Sequence, residues 1–246
     1  MKRALHAEWT KARTVPGTGW LLLAVLTLTV LVSALAAGTA DCTAAGCRQD
    51  VARTALTGIY VGQAVVAVLA VLTISGEYSS GMIRTTLTAV PRRHVVLTAK
   101  ALVLTGLVLA TGAVTVAGCL VTARLLVPIS LTDGSVLRAA AGSVLYLALI
   151  ALLSLGAATA VRDSAAAVAV VLGLLYALPL VAQLVTDQDW QRRLQRVEPM
   201  TAGLGVQATV DVGALPLPPW AGLGVLAAWA AAALLGGGLL LRGRDA

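Results

Sequence analysis

The chain has 246 residues, of which 59% are hydrophobic and only 12% are charged, and its mean hydropathy is +0.90. A soluble globular domain carries roughly 25% charged residues, so this composition excludes an ordinary soluble fold and indicates a polytopic membrane protein. The net charge of +7 does not indicate nucleic-acid binding, because the charges border apolar runs and form no basic patch with stacking aromatics.

Six apolar runs are each close to the roughly 20 residues that a helix needs to cross a bilayer. Backbone groups inside lipid must bond within their own segment, so we predict an all-α fold with six transmembrane helices. One membrane domain over residues 1–246 is expected, without a nucleotide-binding domain. The predicted spans are Trp20–Ala37, Leu56–Ile74, Ala101–Val121, Val136–Ala160, Ala165–Val185 and Trp220–Leu241. The first run also resembles a signal peptide, but its length and its 19-residue leader favour a retained span.

Lysine and arginine are unevenly divided between the two sides that six spans would create. The N-terminus, residues 75–100, residues 161–164 and the C-terminal tail carry 11 of them, against seven on the other side. The acids divide four against seven, so the whole positive excess lies on one side. Positively charged connections stay in the cytoplasm, so both termini are predicted to be cytoplasmic.

The N-terminal stretch has the spacing of an amphipathic helix. One stripe is mainly apolar and the opposite stripe is polar or basic: Leu5, Trp9, Ala12 and Pro16 against Arg3, His6, Thr10 and Arg13. We predict a short helix that lies on the inner membrane surface. A disordered basic tail is the alternative.

The first outer loop, Gly38–Ala55, contains two cysteines, Cys42 and Cys47. The outside of the membrane is oxidising, so a disulfide between them and a pair of free thiols remain equally open. Cys119 lies within a span and is interpreted as a packing residue. Two cysteines without a nearby histidine make a poor metal site, and no metal is expected.

The connection between the second and third spans is basic and looks structured. Gly81 offers a break, Met82, Ile83 and Leu87 form an apolar stripe, and Pro91 ends the element. We predict a short helix across the inner surface, whose apolar face can seat in a groove of a cytosolic partner. An ordinary basic loop is the alternative.

The longest outer loop, Thr186–Pro219, places Trp190, Leu194 and Val197 on one face of a short helix. Three interpretations of this loop stay open. It could form helices that cover the outer face, dip partly into the membrane, or be a solvated connector.

The sequence lacks the chemistry of several other membrane-protein classes. It has no phosphate-binding loop motif, so it is not expected to hydrolyse ATP or to be catalytic by itself. Ionisable groups are absent deep in the predicted spans, where ion-coupled carriers keep them, so a secondary transporter is disfavoured. No polar ring or filter suggests a channel. What remains is a membrane protein that depends on a partner.

Three segments resemble the permease subunit of bacterial type-2 ABC exporters. They are Glu8–Thr14 (EWTKART), Ser75–Thr86 (SGEYSSGMIRTT), which is the most specific, and the stretch from Pro218–Gly222 (PPWAG) through the last span to Ala246. The resemblance covers nearly the whole chain.

This resemblance implies a multi-pass protein of the bacterial inner (plasma) membrane that exports an amphipathic or hydrophobic substrate, such as a drug, antibiotic, peptide or lipid-like molecule, by alternating access. It implies two copies of a separate ATPase, which would bind the ATP and Mg, and a second permease copy, identical or related. Coupling to the ATPase falls on Glu77, Tyr78, Ser79, Ser80, Gly81, Arg84 and Thr85. The amphipathic helix around Trp9, Lys11 and Arg13 would lie beside them.

Candidate substrate contacts are the few aromatic and polar side chains of the spans: Tyr60, Gln63, Tyr146, Tyr176 and Gln183. The tyrosines are more often packing residues than ligand contacts. Gly58-x-x-x-Gly62 is a candidate close-approach motif between two copies. The rival function is a non-transporting immunity or scaffold protein.

Overall fold

The computed structural model describes residues 1–39, 42–43, 46–47, 50–89, 93–127, 130 and 132–243. Within these residues, six helical segments are long and apolar enough to cross a membrane, which confirms the predicted all-α fold with six spans. The helices in chain order are α1 (Lys2–Thr14), α2 (Pro16–Gly38), α3 (Val51–Ala55), α4 (Ile59–Ser79), α5 (Met82–Ala89), α6 (Arg93–Leu126), α7 (Gly134–Val161), α8 (Ser164–Leu172), α9 (Leu178–Gln183), α10 (Gln188–Val197), α11 (Pro199–Leu204) and α12 (Pro219–Gly243). A π-helical turn, Gly173–Ala177, joins α8 to α9 in the fifth span, and 3₁₀ turns cover Gly205–Gln207 and Val212–Ala214.

Local sequence signals account for several helix ends. Pro16 opens α2, where the missing N–H of proline costs nothing. Arg162 adopts a left-handed conformation (φ 64°) that ends α7. Asp163 then caps α8, since its carboxylate accepts a 2.7 Å hydrogen bond from the N–H of Ala166.

Two spans are longer than their apolar runs. Helix α4 continues past Ile74 to Ser79, and α6 begins at Arg93, eight residues before the predicted start at Ala101. Both extensions carry a buried charge, Glu77 and Lys100. The predicted spans end before Glu77 and begin after Lys100, because hydropathy excludes charged residues from a span. In the structure the two helices continue through these residues, since the two charges pair with each other.

Helix α7 forms the centre of the bundle. It packs against α4, α6, α8 and α12, while α2 packs against α4 and α6. Leu147, Ile150 and Leu153 of α7 meet Leu69 and Ile74 of α4 in a core from which solvent is almost completely excluded. The other spans surround this pair and leave most of their apolar surface outside the core.

The Gly58-x-x-x-Gly62 motif packs inside the chain, so its predicted use between two copies is wrong. A Cβ at Gly58 would lie 1.9 Å from the carbonyl oxygen of Thr29, and one at Gly62 would lie 2.2 Å from the Thr29 hydroxyl. The N–H of Gly58 also donates to Ser33 Oγ at 3.0 Å. The two glycines therefore let α4 approach α2 closely.

Helices α7 and α12 run parallel and touch through a second pair of glycines. A Cβ at Gly156 would lie 2.4 Å from the backbone of Ala233, and one at Gly237 would lie 2.5 Å from the carbonyl oxygen of Gly156. Thr159 also meets Gly237. The absence of side chains at these points lets α7 and α12 approach each other closely.

Both ends of the described chain lie at one end of the bundle, which we call the basic end. Helix α1 packs there against α6, α5 lies beside it, and Arg93 donates a 2.5 Å hydrogen bond to the carbonyl of Leu241 near the end of α12. The common location of the termini agrees with the predicted topology. That the basic end faces the cytoplasm stays a prediction.

At the opposite end, the loop after the fifth span folds back into the bundle, so the interpretation as a solvated connector is wrong. Gly203 packs on the ring of Tyr146, which lies twelve residues into α7, about 18 Å along the helix axis. Val206 fills the space over Gly142, and the carbonyl of Ala202 sits against Gly222. Helix α11 and the turn after it are therefore part of the core.

The first loop at this end contains two short antiparallel strands, β1 (Cys42–Thr43) and β2 (Gly46–Cys47). The backbones of Cys42 and Cys47 are paired in register. Their side chains lie outside the described part of the chain, so the disulfide stays a prediction.

Candidate functional site

Four charged side chains meet at the basic end, and we call them the charge cluster: Glu8 and Lys11 of α1, Glu77 of α4 and Lys100 of α6. The Nζ atom of Lys100 lies 2.8 Å from Glu8 Oε2 and 2.6 Å from Glu77 Oε1. The Nζ atom of Lys11 lies 2.7 Å from Glu77 Oε1 and 3.2 Å from Glu8 Oε1. The cluster joins the amphipathic helix to the second and third spans.

Three of these charges are removed from solvent, with Lys100 3%, Glu77 4% and Glu8 9% exposed. The ammonium of Lys100 uses all three of its donors, because it also donates to the carbonyl of Thr73 at 3.2 Å. The other Glu77 oxygen, Oε2, is buried and makes no hydrogen bond within the described residues. A buried charge that loses its partner is strongly destabilising, so the two long helices and α1 depend on one another here.

Lys11 is the member of the cluster that solvent reaches. Burial disfavours its charged form, but hydrogen bonds to Glu77 and Glu8 and the charges of both carboxylates outweigh burial and raise the pKa of Lys11 above its ordinary value. Lys11 therefore stays protonated at physiological pH and keeps α1 tied to the end of α4.

The chain turns directly after the cluster. The hydroxyls of Ser79 and Ser80 both donate to the carbonyl of Gly76, at 3.2 and 2.7 Å, and finish α4. Gly81 then adopts φ +70°, a conformation that costs a side-chain-bearing residue roughly 1 kcal/mol or more. Helix α5 starts at the next residue, so its orientation is set by the turn that Glu77 anchors.

A cavity of about 270 Å³ separates α1 from α5. Ala4, Ala7 and Lys11 line it from α1, and Met82 and Thr85 line it from α5. Met82 is 44% exposed although it is apolar. The basic end thus presents a concave surface with an apolar wall beside the charge cluster.

The structure separates the predicted coupling residues into two elements. Glu77, Tyr78 and Ser79 form the last turn of the second span, Ser80 and Gly81 form the turn, and only Arg84 and Thr85 belong to α5. Tyr78 stacks under the Arg162 guanidinium, 5.6 Å from the ring centroid. The side chain of Arg84 lies outside the described part of the chain. Of the N-terminal residues, Lys11 joins the cluster, while Trp9 and Arg13 are exposed.

Sequence reasoning missed Glu8 and Lys100 as members of the site. Glu8 lies three residues before Lys11, the spacing of a helical ion pair, and Lys100 is an isolated charge at the edge of an apolar run. Both features can be recognised in the sequence, but nothing in the sequence indicates that α1 packs against α6.

The candidate substrate contacts divide between the core and a cavity. Gln63 and Tyr146 are fully buried and bond to each other, and Gln63 also donates to the sulfur of Met200 at 3.4 Å. Tyr176 donates to the carbonyl of Tyr60. These bonds cross from α4 to α7, α11 and the fifth span, so they also hold the fold-back segment in place.

Tyr60 and Gln183 line a cavity of about 370 Å³ at the opposite end of the bundle. Gln195 and Thr201 add polar groups, and Met200 adds an apolar one. The lining is therefore mixed, which suits a molecule with both polar and apolar parts.

Asp50 ties the two loops at the opposite end together. Its carboxylate accepts hydrogen bonds from the N–H of Thr209 (2.5 Å), the Thr209 hydroxyl (2.6 Å) and the N–H of Val210 (3.1 Å), and it caps α3 through Arg53. Burial disfavours the charged form, but these hydrogen bonds outweigh burial and lower the pKa of Asp50.

Replacing Asp50 with asparagine is expected to lower the thermal stability at pH 7. Because the pKa in the folded protein is depressed, the carboxylate's contribution is complete above its ordinary pKa of about 3.9 and is lost as the pH falls through the lower folded value. The difference in melting temperature between wild type and Asp50→Asn should therefore shrink below about pH 4. Asp133→Asn is the control, since Asp133 begins α7 without a side-chain cap. A difference that persists unchanged in acid would contradict this role.

Comparison with known proteins gives one family. A family model described as "ABC-2 family transporter protein" matches residues 4–180, which include α1, the charge cluster, α5 and the first four spans. No curated protein matches the chain. Because the match covers well over half of the 246 residues, the chain belongs to the ABC-2 transporter family and is a membrane transport component of that class.

Proposed function

We propose that this protein is the transmembrane subunit of an ATP-driven exporter in a bacterial inner membrane. A separate ATPase, in two copies, would supply the energy, and two permease copies would enclose the substrate path. Family membership supports a partner ATPase, since ABC-2 permeases generally work with one. The substrate we propose is amphipathic or hydrophobic, in line with the mixed lining of the cavity at the opposite end.

The observation that carries the coupling part of the proposal is the charge cluster beside α5. A force on α5 reaches the bundle through the Ser80–Gly81 turn, and Glu77 lies only three residues before that turn. Glu77 contacts Lys100 and Lys11 within 2.7 Å. Displacement of α5 is therefore passed to the second span, the third span and α1 together.

The surface that would receive the ATPase is the concave one between α1 and α5. Exposed Met82 provides an apolar contact that a groove of the partner can cover, and Glu8, Lys11 and Thr85 provide polar groups on the same surface. The ATPase would bind the ATP and Mg, and this chain contributes the surface that follows its movement.

The direct test is co-purification from native membranes in mild detergent, followed by an ATPase assay. A stoichiometric ATPase subunit with hydrolytic activity is the expected result. A permease that purifies alone, even after crosslinking, would contradict the proposal and favour an immunity or scaffold protein.

The variant Met82→Glu is expected to weaken retention of the ATPase about tenfold or more, because burying a methionine is worth roughly 1.5–3 kcal/mol and a buried unpaired carboxylate adds to the loss. Since Met82 is exposed in the isolated chain, the melting temperature of the permease itself should barely change. Val210→Glu is the matched control, an exposed apolar residue at the opposite end. If the two variants retained the ATPase equally well, α5 would not be part of the docking surface.

A further inference from the structure

A buried carboxylate, that of Glu198, lies where α10 meets α11, and the residue is only 2% exposed. The carbonyl of the preceding residue, Val197, accepts a 2.9 Å hydrogen bond from Nε1 of Trp229. Trp229 lies ten residues after Pro219, the first residue of α12, which is about 15 Å along the helix axis. Glu198 belongs to the predicted outer loop Thr186–Pro219, but the fold places it beside the interior of the sixth span.

This carboxylate has no counter-charge in the described part of the chain. Its Oε2 atom accepts a 2.7 Å hydrogen bond from the Thr201 hydroxyl. Its Oε1 atom is buried and makes no hydrogen bond within the described residues. None of the ion pairs found among those residues includes Glu198. Because an isolated buried carboxylate is costly in surroundings of low dielectric constant, a positively charged ligand held near it is favoured.

The carboxylate lies one hydrogen bond behind the wall of the cavity of about 370 Å³ at the opposite end of the bundle. Gln195 and Thr201, three residues before and after Glu198, both line this cavity. The Thr201 hydroxyl donates its only hydrogen to Glu198, so its oxygen can only accept from a molecule in the cavity. The volume falls in the range of small-molecule sites, about 300–1,000 Å³. The wall therefore offers an acceptor that is backed by a negative charge.

Arg53 also lines the cavity and carries a positive charge. Its side chain is exposed, so water and salt screen that charge. The charge of Glu198 is buried and is screened much less. The buried carboxylate therefore has the larger effect on which sign of charge the inner part of the cavity accepts.

We propose that this cavity binds an amphipathic molecule with an ammonium group, and that Glu198 selects for its positive charge. The inference rests on the proposed function, since it narrows the substrate from an amphipathic molecule to a cationic one. The ammonium donates to the Thr201 hydroxyl, and the amide oxygens of Gln183 and Gln195 offer acceptors for its other hydrogens. The apolar part of the molecule packs against Met200.

The test measures binding to the full chain in nanodiscs without an ATPase. The probes are monodansylcadaverine, which carries a primary ammonium, and N-hexyl dansylamide, in which a methyl group replaces the ammonium. Fluorescence titrations, corrected with empty nanodiscs, give a dissociation constant for each probe. Glu198→Gln is expected to weaken binding of the ammonium probe about tenfold or more, because the carboxylate charge is lost. Binding of the neutral probe should not change.

Two further variants test the hydroxyl between the carboxylate and the cavity. Thr201→Val keeps the shape of the side chain without the acceptor and should weaken the ammonium probe alone, whereas Thr201→Ser should bind it as wild type does. Asp189→Asn is the matched control, since it removes an exposed acid from α10, and it should change neither constant. Melting temperatures show which variants are folded, and the Thr201 pair decides the question if Glu198→Gln is not.

Unchanged affinity for the ammonium probe in folded Glu198→Gln would overturn the proposal, and so would an equal loss for both probes or no binding of either by wild type. Displacement of the ammonium probe by sodium chloride, but not by N-methylglucamine chloride at equal ionic strength, would indicate a metal-ion site and would also overturn it. Co-purification of the ATPase does not depend on these outcomes, so failure of this inference is distinguishable from failure of the proposed function.

Discussion

Removing a single charge from the charge cluster, by Glu77→Gln or by Lys100→Met, is expected to destabilise the protein by about 3 kcal/mol. Either change leaves the cluster with unequal numbers of positive and negative charges, because it contains two carboxylates and two ammonium groups. The double variant removes one charge of each sign and leaves the neutral pair Glu8–Lys11, which lies 3.2 Å apart. It should therefore lose less stability than the sum of the two single changes.

A double-mutant cycle on purified protein, followed by thermal or denaturant unfolding, measures this coupling. Asp189→Asn, an exposed acid in the first turn of α10, should change stability by no more than about 0.5 kcal/mol. Additive losses at Glu77 and Lys100 would show that the two side chains act independently. If the protein is the exporter subunit proposed above, the folded double variant should also lose transport, since the second span next to α5 then lacks its ionic connection to the third span.

Alanine substitutions at two neighbouring glycines of α12 are expected to have opposite effects. Gly237→Ala places a Cβ 2.5 Å from the carbonyl of Gly156 and 3.0 Å from Thr159. The backbones of α7 and α12 must then separate, at a cost of roughly 1–3 kcal/mol or more. Gly236→Ala meets nothing within 4 Å and should raise stability by up to about 1 kcal/mol through helix propensity.

Melting temperatures of the two variants in one detergent decide this prediction. Gly224→Ala is a second control on the same helix, since a Cβ there also has open space. Equal melting temperatures for Gly236→Ala and Gly237→Ala would mean that α7 and α12 are not in close contact in the folded protein.

The existence of the spans could be predicted from the sequence, but their ends could not. Hydropathy finds an apolar run because lipid imposes that composition on a helix. The third span is therefore predicted to begin just after Lys100, because hydropathy places an isolated lysine at the edge of the membrane. In the fold Lys100 is 3% exposed and paired with two carboxylates, so the charge belongs inside the bundle and the helix starts at Arg93.

The partner of a helix face could not be predicted either. In lipid, a small-residue motif such as Gly58-x-x-x-Gly62 packs equally well against its own chain or a second copy. In the structure, the two glycines of this motif pack against Thr29 of α2. The fold-back of α11 was foreseen only as one of three alternatives, because the contacts of Gly203 with Tyr146 and of Gly222 with Ala202 depend on helices far apart in sequence.

The composition of the charge cluster determines how α1 can leave the bundle. Each part of the cluster is electrically neutral by itself, with Glu8 and Lys11 on α1 and Glu77 and Lys100 on the spans. Undocking α1 therefore breaks hydrogen bonds without stranding a net charge in the membrane. The contacts that hold α1 on the bundle are therefore hydrogen bonds between two neutral pairs, Glu8–Lys11 and Glu77–Lys100.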